Sequence, residues 1–149
     1  MKITAPDLTQ RPPRSPRVRL GGYAILPRIL DKGRALLAGQ IGEYKYACPL
    51  DERFLNFTGT NPKALKAELA KGKGDGEILA WITKYAKIKR DDVQIAAWSV
   101  LSDQRAPADL ESREYFNQLH AQIAPKREDV VTWFDLLDID DHVSFGGRA

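Results

Sequence analysis

The sequence predicts a mainly α-helical fold: a compact single-domain bundle of about six or seven helices with an extended N-terminal arm. Several segments repeat apolar side chains at helical spacing between residues that typically start or stop helices. Only the segment 42–50 alternates as a strand does, and it is too short to form a sheet by itself. The chain has 149 residues, the length of one typical domain, which is enough to bury a core.

The first 22 residues predict the arm. They contain four of the nine prolines and show no helical periodicity. Proline lacks an amide donor and biases the preceding residue away from helix. We therefore divide the chain into an extended Pro/Arg-rich arm, 1–22, packed on or near the body, and a helical domain, 23–149.

Capping residues locate the helices of the body. Pro27 suits the first turn of a helix that runs to about Ala38 and stops at Gly39. The later helices are predicted to begin, in chain order, near Asp51, Asn61, Asp75 or Gly76, Asp91 or Asp92, Asp109 and Glu128. The tryptophans Trp81, Trp98 and Trp133 lie among aliphatic neighbours on separate helices, which is typical of core positions.

Charge is distributed unevenly along the chain, whose formal net charge is +3. Residues 1–40 contain eight basic and two acidic side chains, so the remaining residues carry a net negative charge. The segment 128–143 has six acidic residues and no Lys or Arg. The basic head therefore has two alternative partners: an anionic ligand, or this acidic tail within the same fold.

Composition argues against several classes of partner. No apolar run approaches the roughly 18 residues that a membrane helix needs. The N-terminus lacks the apolar stretch of a secretory signal, and Cys48 alone forms no intrachain disulfide, so we expect a cytoplasmic protein with no membrane partner. Nucleic acid is not an expected partner, because prolines interrupt the basic residues and no known reading motif is present. The acidic residues before His142 do not match a calcium loop, and no metal or cofactor is expected.

The candidate binding site lies where the arm meets the first helix. Arg14, Arg17 and Arg28 suit the recognition of phosphate or carboxylate groups. Gly21 and Gly22 can adopt positive φ and expose backbone amides next to a helix N-terminus, where an anion is favoured. The other candidate ligand-binding residues are Tyr23, Asp31, Lys32, Tyr44 and Asp51.

A structural interpretation of the same segment stands beside the functional one. In that interpretation Gly-Gly is a turn, and Arg28, Asp31 and Lys32 form a solvated helix face with one local ion pair at i,i+3. The functional interpretation expects binding of a small phosphate or carboxylate anion, or of an acidic partner segment. Two alternatives remain open: an enzyme that uses Asp31 or Asp51 as general base with Lys32 or a tyrosine, and a homodimeric module whose arm clasps a neighbour.

Short motifs in the first third of the chain resemble a known family. They are Ser-Pro-Arg at 15–17, Leu-Gly-Gly-Tyr at 20–23, Asp-Lys at 31–32, Arg-Ala at 34–35, Gly-Glu-Tyr at 42–44 and Pro-Leu-Asp at 49–51. This pattern is similar to that of a bacterial family catalogued as domain of unknown function 5069. The resemblance implies a small, stand-alone, mostly helical protein and implies no activity.

Overall fold

A computed structural model describes residues 3–149 of the chain. Seven helices make up the regular structure of these residues. They are α1 (Leu26–Leu37), α2 (Pro49–Thr58), α3 (Pro62–Leu69), α4 (Asp75–Tyr85), α5 (Asp92–Gln104), α6 (Leu110–Ile123) and α7 (Trp133–Ser144). The predicted mainly helical, single-domain fold is confirmed. The alternating segment 42–50 contains turns and the first residues of α2, and no β-strand occurs within residues 3–149.

Most predicted helix starts are confirmed by their caps. The side chains of Asn61, Asp91 and Asp109 each accept a hydrogen bond from a backbone N–H in the first turn of α3, α5 and α6. Two starts were wrong. Helix α2 begins at Pro49, whose fixed φ suits a first helical position, rather than at Asp51. Helix α7 begins at Trp133 rather than near Glu128.

A reciprocal cap explains the late start of α7. The Thr132 hydroxyl accepts a hydrogen bond from the Asp135 amide at 3.1 Å, and the Asp135 carboxylate accepts one from the Thr132 amide at 2.9 Å. These two bonds satisfy backbone groups that would otherwise lack a partner at the helix end. The preceding acidic residues, 128 and 129, therefore lie in the connection between α6 and α7.

Helix α1 lies at the centre of the domain, and nine of its twelve residues are buried. Its apolar side chains, including Ile29 and Leu30, belong to the main core cluster with residues of α2, α3 and α4. A Cβ on Gly33 would lie 2.6 Å from a methyl carbon of Leu69, so glycine permits α1 and α3 to approach closely. A second cluster joins α6 to α7 around Phe116 and Ile139. Trp81 and Trp98 pack on the first cluster and Trp133 on the second.

The arm is held to the body by buried side chains and backbone hydrogen bonds. Leu8 is almost fully buried, and its amide donates to the Gln40 carbonyl at 2.9 Å. The Pro16 carbonyl accepts a hydrogen bond from the Ile25 amide at 2.8 Å, just before α1. The arm therefore lies along α1 and covers part of its surface. None of the helices within residues 3–149 is long and apolar enough to cross a membrane.

Candidate functional site

The charged side of α1 is buried. Arg28, Asp31 and Lys32 are only 3%, 8% and 3% exposed, so the expected solvated face is absent. The local ion pair expected between Arg28 and Asp31 is also absent, because each group pairs with a residue distant in sequence. The arm, α2 and α7 supply those partners and exclude water from this side of α1.

Arg14 connects the arm to α1 and α4. Its guanidinium donates to both carboxylate oxygens of Asp31 at 3.0 Å and to Asp75 at 2.8 Å. Arg34 of α1 also donates to Asp75, at 2.8 Å. Partial burial opposes ionisation of Asp75, but the hydrogen bonds from the two arginines outweigh it and hold the pKa of Asp75 below its usual value.

These groups line a cleft of about 720 Å³ between the arm and the start of α4, which we call the arm cleft. Its charged lining consists of Arg11, Arg14, Arg34, Lys73, Asp31 and Asp75. Ile3, Ala5, Pro6 and Pro12 add an apolar wall. The cleft also borders Gly74, the residue that precedes the first turn of α4.

Arg28 and Tyr44 converge on one carboxylate of α7. Arg28 donates to Asp141 at 2.7 Å, and the Tyr44 hydroxyl donates to the other oxygen of Asp141 at 2.7 Å. Burial, together with the hydrogen bond to the Asp141 carboxylate, raises the pKa of Tyr44, so the hydroxyl stays protonated as a donor. Arg28 and Tyr44, which the sequence analysis assigned to a ligand, are therefore already paired with Asp141.

Lys32 and Asp51 form the most deeply buried ion pair of the described residues. The Lys32 ammonium lies 2.7 Å from Asp51 Oδ2, donates to the Lys45 carbonyl at 2.9 Å and contacts Cys48 Sγ at 3.4 Å. Neither Asp51 oxygen receives a hydrogen bond of normal geometry from residues 3–149. Charge attraction to Lys32 is therefore the main compensation for burying this carboxylate.

The Gly-Gly-Tyr turn packs against α4 and α5. Gly21 and Gly22 adopt positive φ, 58° and 82°, as expected. A Cβ on Gly21 would lie 2.5 Å from a methyl carbon of Leu79, which leaves no room for a larger residue. The buried Ser99 hydroxyl of α5 donates to the Gly22 carbonyl at 2.6 Å. Tyr23 is buried, with its ring edge-on to another core aromatic ring.

Two further arginines of the arm pair with acidic residues of the body. Arg17 forms ion pairs with Asp135 and Asp138 of α7, the latter at 3.1 Å. Arg19 donates to both carboxylate oxygens of Asp103 in α5. Much of the basic head is therefore neutralised inside the fold, in part by the acidic tail.

Comparison with known families finds a match over most of the chain. A family model described as Domain of unknown function (DUF5069) matches residues 10–143. The chain belongs to this family. The resemblance seen in the N-terminal motifs is thereby confirmed over most of the chain, including α1 to α6 and the region of α7 that pairs with Arg17. No curated protein gives a significant match.

The candidate residues of this DUF5069 chain lie in separate places. Arg14 and Asp31 meet in the arm cleft. Arg28 and Tyr44 meet at Asp141. Lys32 meets Asp51 under the loop before α2. Arg17, in the arm, contacts α7. Gly21, Gly22 and Tyr23 lie at the turn against α4 and α5.

Sequence reasoning missed four of the six charged residues of the arm cleft. Arg11, Arg34, Lys73 and Asp75 line it, yet none was a candidate. Asp75 is 61 positions from Arg14, and no local motif links them. The available signal was the predicted helix start at Asp75 or Gly76, which gave no indication of the residues that Asp75 would meet.

Proposed function

We propose that the arm cleft binds a small organic anion, with a carboxylate or phosphate as the recognised group. The observation that carries this proposal is the convergence of four cationic side chains on a cleft that contains two carboxylates. Arg11 forms no ion pair with residues 3–149, and the Arg14 side chain is still 38% exposed. Positive charge is thus accessible from solvent, as recognition of an anion requires.

The start of α4 supports the same proposal. The first N–H groups of a helix have no acceptor within the helix, and the helix dipole favours negative charge beside them. Gly74 and Asp75, at this end of α4, border the cleft. The Asp75 carboxylate already bridges Arg14 and Arg34 there. This contact supports the view that the two guanidinium groups are oriented to bind a carboxylate.

The remaining lining defines the ligand more closely. The Lys73 ammonium pairs with Glu68, which lies outside the cleft lining, and Arg14 and Arg34 pair with carboxylates of the lining. Among the described residues, Arg11 is therefore the cationic residue of the cleft that no carboxylate neutralises. Ile3, Pro6 and Pro12 present apolar surface on the arm side. An anion with a short hydrocarbon portion would contact both parts of the lining and would bury apolar area as well as charge.

A titration followed by two-dimensional NMR tests the proposal, with inorganic phosphate and citrate as separate probes at low ionic strength. We expect chemical-shift changes concentrated in the amides of residues 72–77 and of Arg11 and Arg14. Arg11→Gln should weaken binding by about 3- to 10-fold, which corresponds to one exposed charge contact.

Lys126→Gln is the matched control, because it removes one exposed positive charge from the turn after α6, outside the arm cleft. The control should bind both probes as wild type does. Equal weakening by Arg11→Gln and Lys126→Gln would show only a general charge effect and would contradict the proposed site. Absence of shifts at 72–77 with either probe would contradict it as well.

A further inference from the structure

Helix α5 exposes an apolar stripe that no part of residues 3–149 covers. Val93 is 78% exposed, Val100 is 52% exposed and Leu101 is 53% exposed. Ala96 and Ala97 lie on the same side of the helix and are also exposed. The opposite side carries Ile95, Ser99 and Ser102, which are buried against the body. We call the exposed side the α5 stripe.

The spacing of the α5 stripe suits pairing with another helix. Val93, Ala97, Val100 and Gln104 recur at intervals of four, three and four residues, which keeps them on one line along the helix. If two copies of α5 run antiparallel, with the axis between Trp98 and Ser99, Ala97 lies opposite Val100 and Val93 lies opposite Gln104. A small side chain then faces a larger one, which allows close packing of the two helices.

The charges at the ends of α5 favour the same arrangement. Asp92 is the first residue of α5 and borders the stripe, and Arg105 directly follows its last residue. Neither forms an ion pair with another group of residues 3–149. In the antiparallel arrangement, Asp92 of each copy lies opposite Arg105 of the other, so two complementary charge pairs flank the apolar centre. A parallel arrangement would instead place like charges together.

We propose that α5 is a homodimer interface, in which the α5 stripes of two copies of this chain pack antiparallel about a two-fold axis. The surface is self-complementary, as a two-fold interface requires, since one patch supplies both the acidic and the basic end. This interface is independent of the arm cleft, whose lining shares no residue with the α5 stripe. A single helix face is small for an interface, so the dimer should be weak and concentration-dependent.

Sedimentation equilibrium of the full chain tests the proposal. The wild-type mass should rise from 16.7 kDa towards twice that value as protein concentration increases from about 10 µM to about 500 µM, the range where a weak dimer forms. Val100→Glu should stay monomeric throughout. Leu36→Glu is the matched control, because Leu36 is a partly exposed apolar residue of α1, and this variant should associate as wild type does.

A charge-exchange experiment tests the antiparallel register directly. Asp92→Arg alone and Arg105→Asp alone should each associate more weakly than wild type, because each homodimer places like charges together. An equimolar mixture of the two variants should recover dimer formation, because every Arg at position 92 then faces an Asp at position 105. The doubly substituted chain should recover it too.

Three outcomes would overturn the proposal. A wild-type chain that is monomeric at every concentration would show that the α5 stripe does not pair with a second copy of this chain. A dimer unaffected by Val100→Glu would use another surface of the chain. A mixture that associates no better than its separate components would reject the antiparallel pairing. Circular dichroism of each variant verifies that the helices are retained, so that loss of association is not loss of folding.

Discussion

Helices α1 and α5 both depart from an ordinary amphipathic helix, but in opposite ways: α1 buries charged side chains, and α5 exposes apolar ones. On α1, Arg28 and Lys32 are only 3% exposed, whereas Val93 on α5 is 78% exposed. The charges of α1 are buried because other segments bring opposite charges to them: the arm supplies Arg14, α2 supplies Asp51 and α7 supplies Asp141. The apolar stripe of α5 is exposed because nothing in the described chain is placed over it. Whether a helix face is buried therefore depends on which other segments pack against it as well as on its own residues.

This difference has an energetic consequence. A buried charge is tolerated only when it is paired, and removal of one partner leaves an uncompensated charge inside the protein. An exposed apolar side chain on a folded helix costs little by comparison, and most single surface changes alter stability only slightly. Substitutions on α1 and its partners should thus affect folding, whereas substitutions on the α5 stripe should affect association.

The largest effect is expected at the pair of Lys32 and Asp51. Asp51→Ala should lower the free energy of unfolding by about 3–5 kcal/mol, because it leaves the Lys32 ammonium buried without its counter-charge. Urea-induced unfolding followed by circular dichroism measures the change. The double substitution Lys32→Met with Asp51→Leu should recover most of the loss, since an apolar pair of similar volume removes both charges.

The exposed pair of Arg127 and Asp129 provides the control for this prediction. Its side chains are 43% and 65% exposed, so solvent screens the pair and Asp129→Ala should unfold close to wild type. If Asp51→Ala were as stable as this control, the buried pair would contribute nothing to the fold. The contrast between α1 and α5 would then lose its energetic basis.

A smaller effect is expected at Ser99, on the buried side of α5. Its hydroxyl accepts a hydrogen bond from the Ala24 amide at 2.9 Å and donates to the Gly22 carbonyl. Ser99→Ala leaves both backbone groups without this partner and should cost about 1–3 kcal/mol. Thermal unfolding measures the loss. Ser144→Ala, at an exposed position in α7, is the control and should melt near wild type.

A third effect depends on pH and involves Asp75. Its pKa is lowered in the folded protein, so the ionised carboxylate contributes stability above the unfolded value of about 3.9. That contribution is lost as the pH falls through the lower folded pKa. Asp75→Asn should therefore be less stable than wild type near pH 7 by less than about 1 kcal/mol, discounted because the pair is partly solvated.

The pH profile distinguishes this role of Asp75 from a purely steric one. The stability gap between wild type and Asp75→Asn should shrink as the pH is lowered below 4, because the wild-type carboxyl then also becomes neutral. Glu111→Gln, at an exposed position in the first turn of α6, is the control for a general charge effect. A gap for Asp75→Asn that stays constant from neutral to acid pH would contradict the ion-pair explanation.

Local signals explain which parts of the fold could be predicted from sequence. The starts at Asn61, Asp91 and Asp109 were found because a capping side chain acts within three residues of its own backbone. The start of α7 was missed because Thr132 and Asp135 cap each other, a weaker signal than the acidic run before them. Helix position is thus readable where its determinants are near in sequence.

Long-range pairing explains what could not be predicted. The polar side of α1 has the residues of a solvated face, and only the distant partners Asp51, Asp75 and Asp141 show that it is buried. The charge asymmetry of the chain did indicate an acidic tail as one partner of the basic head, and Arg17 does pair with Asp138. It gave no information on which acid meets which base, because that depends on helix packing.

The smallest effect on folding is expected on the α5 stripe, where a substitution should weaken association and leave the stability of the monomer nearly unchanged. In dilute solution Leu101→Gln should change the free energy of unfolding by no more than about 0.5 kcal/mol, because the side chain is already half in solvent. The melting temperature of wild type should rise with protein concentration, since association stabilises the folded chain. For Leu101→Gln this dependence should be weaker. For Ser99→Ala it should persist at a lower temperature, because that residue lies on the other side of the same helix. If instead Leu101→Gln lowered the melting temperature equally at all concentrations, the stripe would stabilise the monomer, and α5 would not differ from α1 in the way proposed.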